Sequence, residues 1–185
     1  MTWLDLLPIA LIVIYGVGGF FTGVVRRLIG LIALYVACWA ATNMGQQAGG
    51  ILQQSGTAEA TADARIYGFF GIIFAFLLII EVATQLAHAQ IQLPGLVLNR
   101  TLGAIAGVVT AILLSFIVVY EIGQAANPFG GPQLTTLEQH LRDAVHGSLY
   151  AARVVDKVGG PVVGLFSPVL PGDGQIYFGP GPINS

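Results

Sequence analysis

Residues 18–30 read GGFFTGVVRRLIG, two adjacent arginines set between apolar runs with no acidic residue near them. The composition around them explains what such a pair is doing there. Of 185 residues, 55% are hydrophobic and 9% are charged, and the mean hydropathy is +0.80. Soluble domains carry roughly a quarter charged residues. The chain therefore reads as an all-α integral membrane protein, and Arg26 and Arg27 as a topology anchor between its first two crossings.

Working outward from the arginines, a crossing helix needs about 20 mostly apolar residues. Four segments meet that length or come near it: 6–25, 28–45, 66–88 and 101–122. Lys and Arg in short loops stay cytoplasmic. Arg26 and Arg27 are the whole charge of the first connection, and Arg100, with His88, lies in the third. Both connections are thus expected inside, with the N-terminus, the 46–65 loop and the C-terminus outside. The first segment does not read as a cleavable signal, because no Lys or Arg precedes it. Residues 1–125 form the four-helix transmembrane domain, and 126–185 a C-terminal extension.

Small residues recur at helical spacing. Gly19 and Gly23 stand four apart beside the arginines, and Gly103, Gly107, Ala111 and Ser115 share one face of the fourth segment. Such faces let helix backbones approach closely in lipid. They predict packing seams, with the partner either in the same chain or in a second copy. Gly23 also eases the tight turn between the first two segments.

The third segment carries a polar stripe, since Glu81, Thr84, Gln85, His88 and Gln92 fall on one helix face before Pro94 and Gly95. A carboxylate in a membrane helix costs several kcal/mol unless it is paired or hydrated. An antiparallel hairpin of the third and fourth segments places Glu81 opposite residue 105, within reach of Arg100. Structural pairs are expected from Glu81 to Arg100 or Arg26, and from Arg65 to Glu121 on the outer side. The alternative is an ion or proton path along the stripe.

From NPFGGP at 127–132 the chain turns soluble in character. Thr135 and Glu138 make a capping-box signature, and Leu137, Leu141, Val145, Leu149, Ala152 and Val155 continue at helical spacing to Gly159-Gly160-Pro161. This predicts an outer-side amphipathic helix over 136–158. VVGLFSPVLP at 162–171 reads as an interfacial stretch, and the Gly/Pro-rich end as a flexible tail.

Other classes are set aside on composition and motifs. A net charge of −2 gives no reason to expect nucleic acid. Cys38 is the one cysteine, so no internal disulfide forms, and it reads as a small core residue, not a lipidation site. Asn99-Arg100-Thr101 matches a glycosylation sequon but falls in an expected cytoplasmic loop. No HExxH motif, GxSxG elbow or phosphate-binding loop is present. Neither an enzyme nor a cofactor is expected.

With the segments placed, residues 2–122 resemble the colicin V production protein (CvpA) family. Trp3 and Asp5 open the first helix as in that family. Gly19, Gly23 and Arg26 are similar to its glycine-spaced run ending in arginine, and Arg100, Gly103 and Gly107 to its arginine-then-glycine lead into the last helix. Asn99 stands where the family often has aspartate, and the part after residue 125 looks like an extension found in only some members. The resemblance implies a four-helix protein of the bacterial inner membrane, associated with toxin or bacteriocin production and export and with envelope maintenance.

Two readings of function follow. The first is a non-enzymatic membrane protein assisting a secretion or envelope system through helix packing and partner contacts. The second is a small oligomeric ion or solute transporter or channel using the Glu81 stripe, with subunits packed through Gly103 and Gly107. The expected partners are the lipid bilayer, a second copy of the chain, and a secretion or envelope protein.

Overall fold

The computed structural model describes residues 2–56, 61–87, 96–130 and 134–179. Four long helices, α1 (Trp3–Thr22), α2 (Val24–Gln54), α3 (Thr61–Ala87) and α4 (Leu96–Ala125), come first. Each is long and apolar enough to cross a membrane. Among the described residues there is no strand.

α2 and α4 run past the expected spans at both ends and α3 starts earlier than expected, whereas α1 stops at Thr22, short of the expected 25, because the chain turns at Gly23. α2 has 31 residues, or about 46 Å at 1.5 Å per residue, against a hydrocarbon core of about 30 Å. Its last turns, carrying Asn43, Gln46, Gln47, Gln53 and Gln54, therefore stand clear of that core. At the other end α1 and α2 are joined by Gly23 alone, with φ +83°. That conformation favours glycine, and a Cβ there would also meet the Asn99 amide, 2.6 Å from its Nδ2. Arg26 and Arg27 thus lie in the first turn of α2, not in a connection as the sequence reading has it.

The helices pair as α2 with α3 and α1 with α4, and α4 also packs on α2. The expected hairpin of α3 on α4 is not what forms, because the closest backbone approaches lie elsewhere. A Cβ on Gly19 would run into the Gly103 carbonyl, and one on Gly107 into the Tyr15 carbonyl. A second seam joins α2 to α3, where a Cβ on Gly68 would strike the Gly45 carbonyl and one on Gly49 would come 2.8 Å from the Ala64 carbonyl carbon. Where no side chain intervenes, dispersion contacts between backbones hold helices together in lipid. α1 starts beside the end of α4, so one end of the bundle gathers Asp5, the end of α2 and the start of α3. The other gathers Gly23, the arginines and Glu81.

The extension is built onto the Asp5 end. α5 (Thr136–Gly147) opens with the expected capping box, in which the Glu138 N–H donates to Thr135 Oγ1 at 3.1 Å and the Thr135 N–H to Glu138 Oε2 at 2.6 Å. The single amphipathic helix expected over 136–158 is instead broken at Ser148. A π-helical turn, Ala151–Val155, then leads into α6 (Asp156–Phe166), which passes through Gly159-Gly160-Pro161 where a stop is expected. Proline and glycine there cost roughly 1–3 kcal/mol each. Phe166, Val169 and Leu170, all buried, offset that at about 1.5–3 kcal/mol per side chain.

The end of the chain departs from the expected flexible tail as far as residue 179. Asp173 caps a short α7 (Gly174–Tyr177), accepting from the Ile176 N–H at 3.1 Å. Phe178 is fully buried, its ring edge-on to Phe69 at 5.4 Å and parallel to Phe70 at 6.4 Å. Composition signals disorder only where little apolar surface can be buried, and these three aromatic rings supply enough. Residues 180–185 lie outside the described residues.

Candidate functional site

The charged side chains of α2 and α3 meet at the Gly23 end. Arg26 and Arg27 are 8% and 6% exposed. Arg26 Nη2 donates to Glu81 Oε1 at 2.6 Å and to the Glu81 main-chain carbonyl at 3.1 Å. Arg27 Nη1 lies 3.9 Å from Glu81 Oε2, and its guanidinium sits 5.1 Å from the centre of the Tyr15 ring, close enough for a cation–π contact. Gly18 admits Arg27, since a Cβ there would collide with Nη2. The side chain of Glu81 is 44% exposed. One partly wetted carboxylate thus faces two buried guanidinium groups.

Of the two partners expected for Glu81, the structure brings Arg26 and not Arg100. Arg100 is exposed and stands over the Phe20 ring at 5.8 Å, on the α1 and α4 side. Its neighbour Asn99 caps α2, with Oδ1 accepting from the Val24 N–H at 3.0 Å. Thr84 turns its hydroxyl back onto the Ile80 and Glu81 carbonyls at 2.8 and 3.0 Å. The Gln85 side chain, His88 and Gln92 lie outside the described residues.

The small-residue series divides. Gly19, Gly23, Gly103 and Gly107 form the α1–α4 seam within one chain, so Gly103 and Gly107 are not free to join two subunits. Ala111 is fully buried further along α4. Ser115 serves the extension, with its Oγ 2.6 Å from the Tyr150 hydroxyl.

At the opposite end Asp5 is the hub. Its carboxylate accepts from the Thr2 N–H at 2.9 Å, the Ser148 hydroxyl at 2.7 Å and the Tyr150 N–H at 3.0 Å. Ser148 in turn accepts from the Ala151 N–H at 3.1 Å, restarting the helix after the break. Thr135 Oγ1 donates to Asp63 at 2.6 Å, fastening α5 to α3. Arg65 does not serve the outer pair expected with Glu121. Its guanidinium donates to the main-chain carbonyls of Tyr177 and Gly179, while Glu121 is 1% exposed and its Oε2 has no hydrogen-bond partner among the described residues. Tyr177 donates to the Ala41 carbonyl at 3.1 Å, and burial pushes its phenol up to about 12.

Between α2 and this closing strand of chain opens a cavity of about 620 Å³, lined by Thr42, Asn43, Gln46 and Gln47, by Arg65, and by Asp173, Ile176 and Tyr177. The amide run NMGQQ at 43–47 was the available signal, but it falls at and beyond the expected end of the second crossing. Among the described residues no group of three His, Cys, Asp or Glu side chains could hold a metal ion.

A family model described as Colicin V production protein matches residues 4–158. The match runs past α5 and the π-helical turn into α6, so the family covers more of the extension than the resemblance over residues 2–122 implied. No curated protein and no solved structure matches the chain. With a match over most of its length, this multi-pass membrane protein belongs to the colicin V production family.

Proposed function

We propose that this member of the colicin V production family is a non-enzymatic component of the bacterial inner membrane. It assists a secretion or envelope system, with toxin production and envelope maintenance as the processes served. It does so as a preformed block, with its helices seated in the bilayer and its Asp5 end presented to a partner protein. Arg26, Arg27 and Arg100 gather at the Gly23 end, which by the positive-inside bias faces the cytoplasm, leaving the Asp5 end and both termini outside.

The observation that carries this reading is the way the extension is tied in. Asp5, Asp63 and Arg65 bind residues from 135 to 179 across all the intervening chain. The outer end is thereby a fixed surface with a polar cavity, suited to contact. The test is crosslinking in membranes from photoreactive side chains at Asn43 and Gln47. Capture of an identified secretion or envelope protein is the expected result, and recovery of only the chain itself refutes the partner role.

The half-exposed Glu81 favours a second reading, an oligomeric ion or solute path past the stripe. Flux in liposomes holding only the purified protein, lost in Glu81→Gln, would establish it over the first.

A further inference from the structure

Positive charge exceeds what the protein itself neutralises at the Gly23 end. Arg26 and Arg27 occupy the first turn of α2, where unpaired N–H groups already amount to about half a positive charge. That turn contains no acidic residue. Glu81 commits one oxygen to Arg26 at 2.6 Å, and its other oxygen stays 3.9 Å from Arg27, beyond hydrogen-bonding distance. Among the described residues Nε of each arginine is buried without an acceptor. Arg27 also stacks against the Tyr15 ring, which offers attraction but no hydrogen bond to those N–H groups. Such a charge is stabilised by a further counter-charge.

We propose that Arg27 binds a phosphate-bearing anion, supplied by the headgroup of an anionic phospholipid. Phosphate oxygens match the planar fork of a guanidinium, and basic sites between membrane helices on the cytoplasmic side take such headgroups. The lipid source follows from the surroundings. Ile14, one turn before Gly18, and Leu78, one turn before Glu81, are exposed apolar side chains on the same helix faces as the site. Both lie on the hydrocarbon side of the arginine level, where an acyl chain hanging from the headgroup would run. The site is independent of whichever partner contacts the Asp5 end.

The full chain in detergent micelles is titrated with phosphatidylglycerol, phosphatidylcholine or inorganic phosphate, and read by thermal unfolding and native mass spectrometry. Phosphatidylglycerol is expected to raise the unfolding midpoint and stay bound as a single lipid, with phosphatidylcholine doing neither. Arg27→Gln should weaken that binding roughly tenfold, the loss of one charge-assisted hydrogen bond. Equal retention of both lipids by the wild type, or unchanged binding in a folded Arg27→Gln, overturns the proposal. Inorganic phosphate that displaces the lipid and stabilises as well as it does overturns the lipid assignment. Should Arg27→Gln fail to fold, photoactivatable phosphatidylglycerol on the wild type decides. Labelling concentrated around Ile14 and Leu78 supports the site, and labelling spread evenly over the helices refutes it.

Discussion

Replacing Glu81 by glutamine removes the counter-charge from Arg26 and Arg27 while keeping the shape and a neutral acceptor. Exposed ion pairs contribute about 0–1 kcal/mol, whereas stripping one partner from a fully buried pair costs about 3–5 kcal/mol. This pair is mixed, with Arg26 8% exposed and the Glu81 side chain 44% exposed. The main-chain carbonyl of Glu81 continues to accept from Arg26 in the variant. The expected loss is therefore about 1–2 kcal/mol, a factor of roughly 5–30 in the ratio of folded to unfolded protein. Glu81→Ala, which also removes the acceptor, should cost more. Reversible unfolding in mixed micelles measures both, and a cycle with Arg26→Gln isolates the coupling between the two side chains. Unchanged stability in Glu81→Gln, accompanied by altered ion flux in liposomes, would refute the structural role assigned to this carboxylate.

Gly19→Ala and Gly103→Ala should each destabilise by about 1–3 kcal/mol, because the added methyl meets the facing backbone. Gly71→Ala, with open space around its Cβ position, should be neutral or slightly stabilising in the same unfolding assay. Asp5→Ala removes three hydrogen bonds at about 2–4 kcal/mol in all, and hydrogen exchange should quicken at residues 148–155 more than in α2. For Tyr177, a folded-state value of about 12 against about 10 in the unfolded chain means its contribution is complete below pH 10. It falls away as the pH rises towards 12, so phenolate absorbance should appear late and together with protease sensitivity of residues 171–179.

The four crossings were legible because a membrane helix must be long, apolar and self-satisfied in its backbone bonds, and residues 28–37 or 101–115 allow little else. The capping box at Thr135 and Glu138 was legible because its partners are three residues apart. The pairing of helices was not. Neighbours in sequence suggested α3 on α4, while the choice was made by where glycines faced each other. Gly45 and Gly49 were spaced like Gly19 and Gly23, but lay at and past the assigned end of the second crossing. At the site, Arg26 is one of the two partners expected for Glu81, since a buried guanidinium needs a counter-charge. Asp5 with Ser148, 143 residues apart, had no local signature, and neither had the seating of Phe178.

The order in which the helices are made gives the α1–α4 seam a second meaning. α1 is made before α4, yet its glycine face is completed only when α4 arrives, and the hydrogen bond from the Val24 N–H to the Asn99 side chain spans 75 residues. At about 5–20 residues per second, α1 spends on the order of 4–15 s in the insertion machinery with that face open. During this interval the groove is open to a helix from a neighbouring nascent chain. Swapped assemblies should therefore form during crowded synthesis and not from the finished protein.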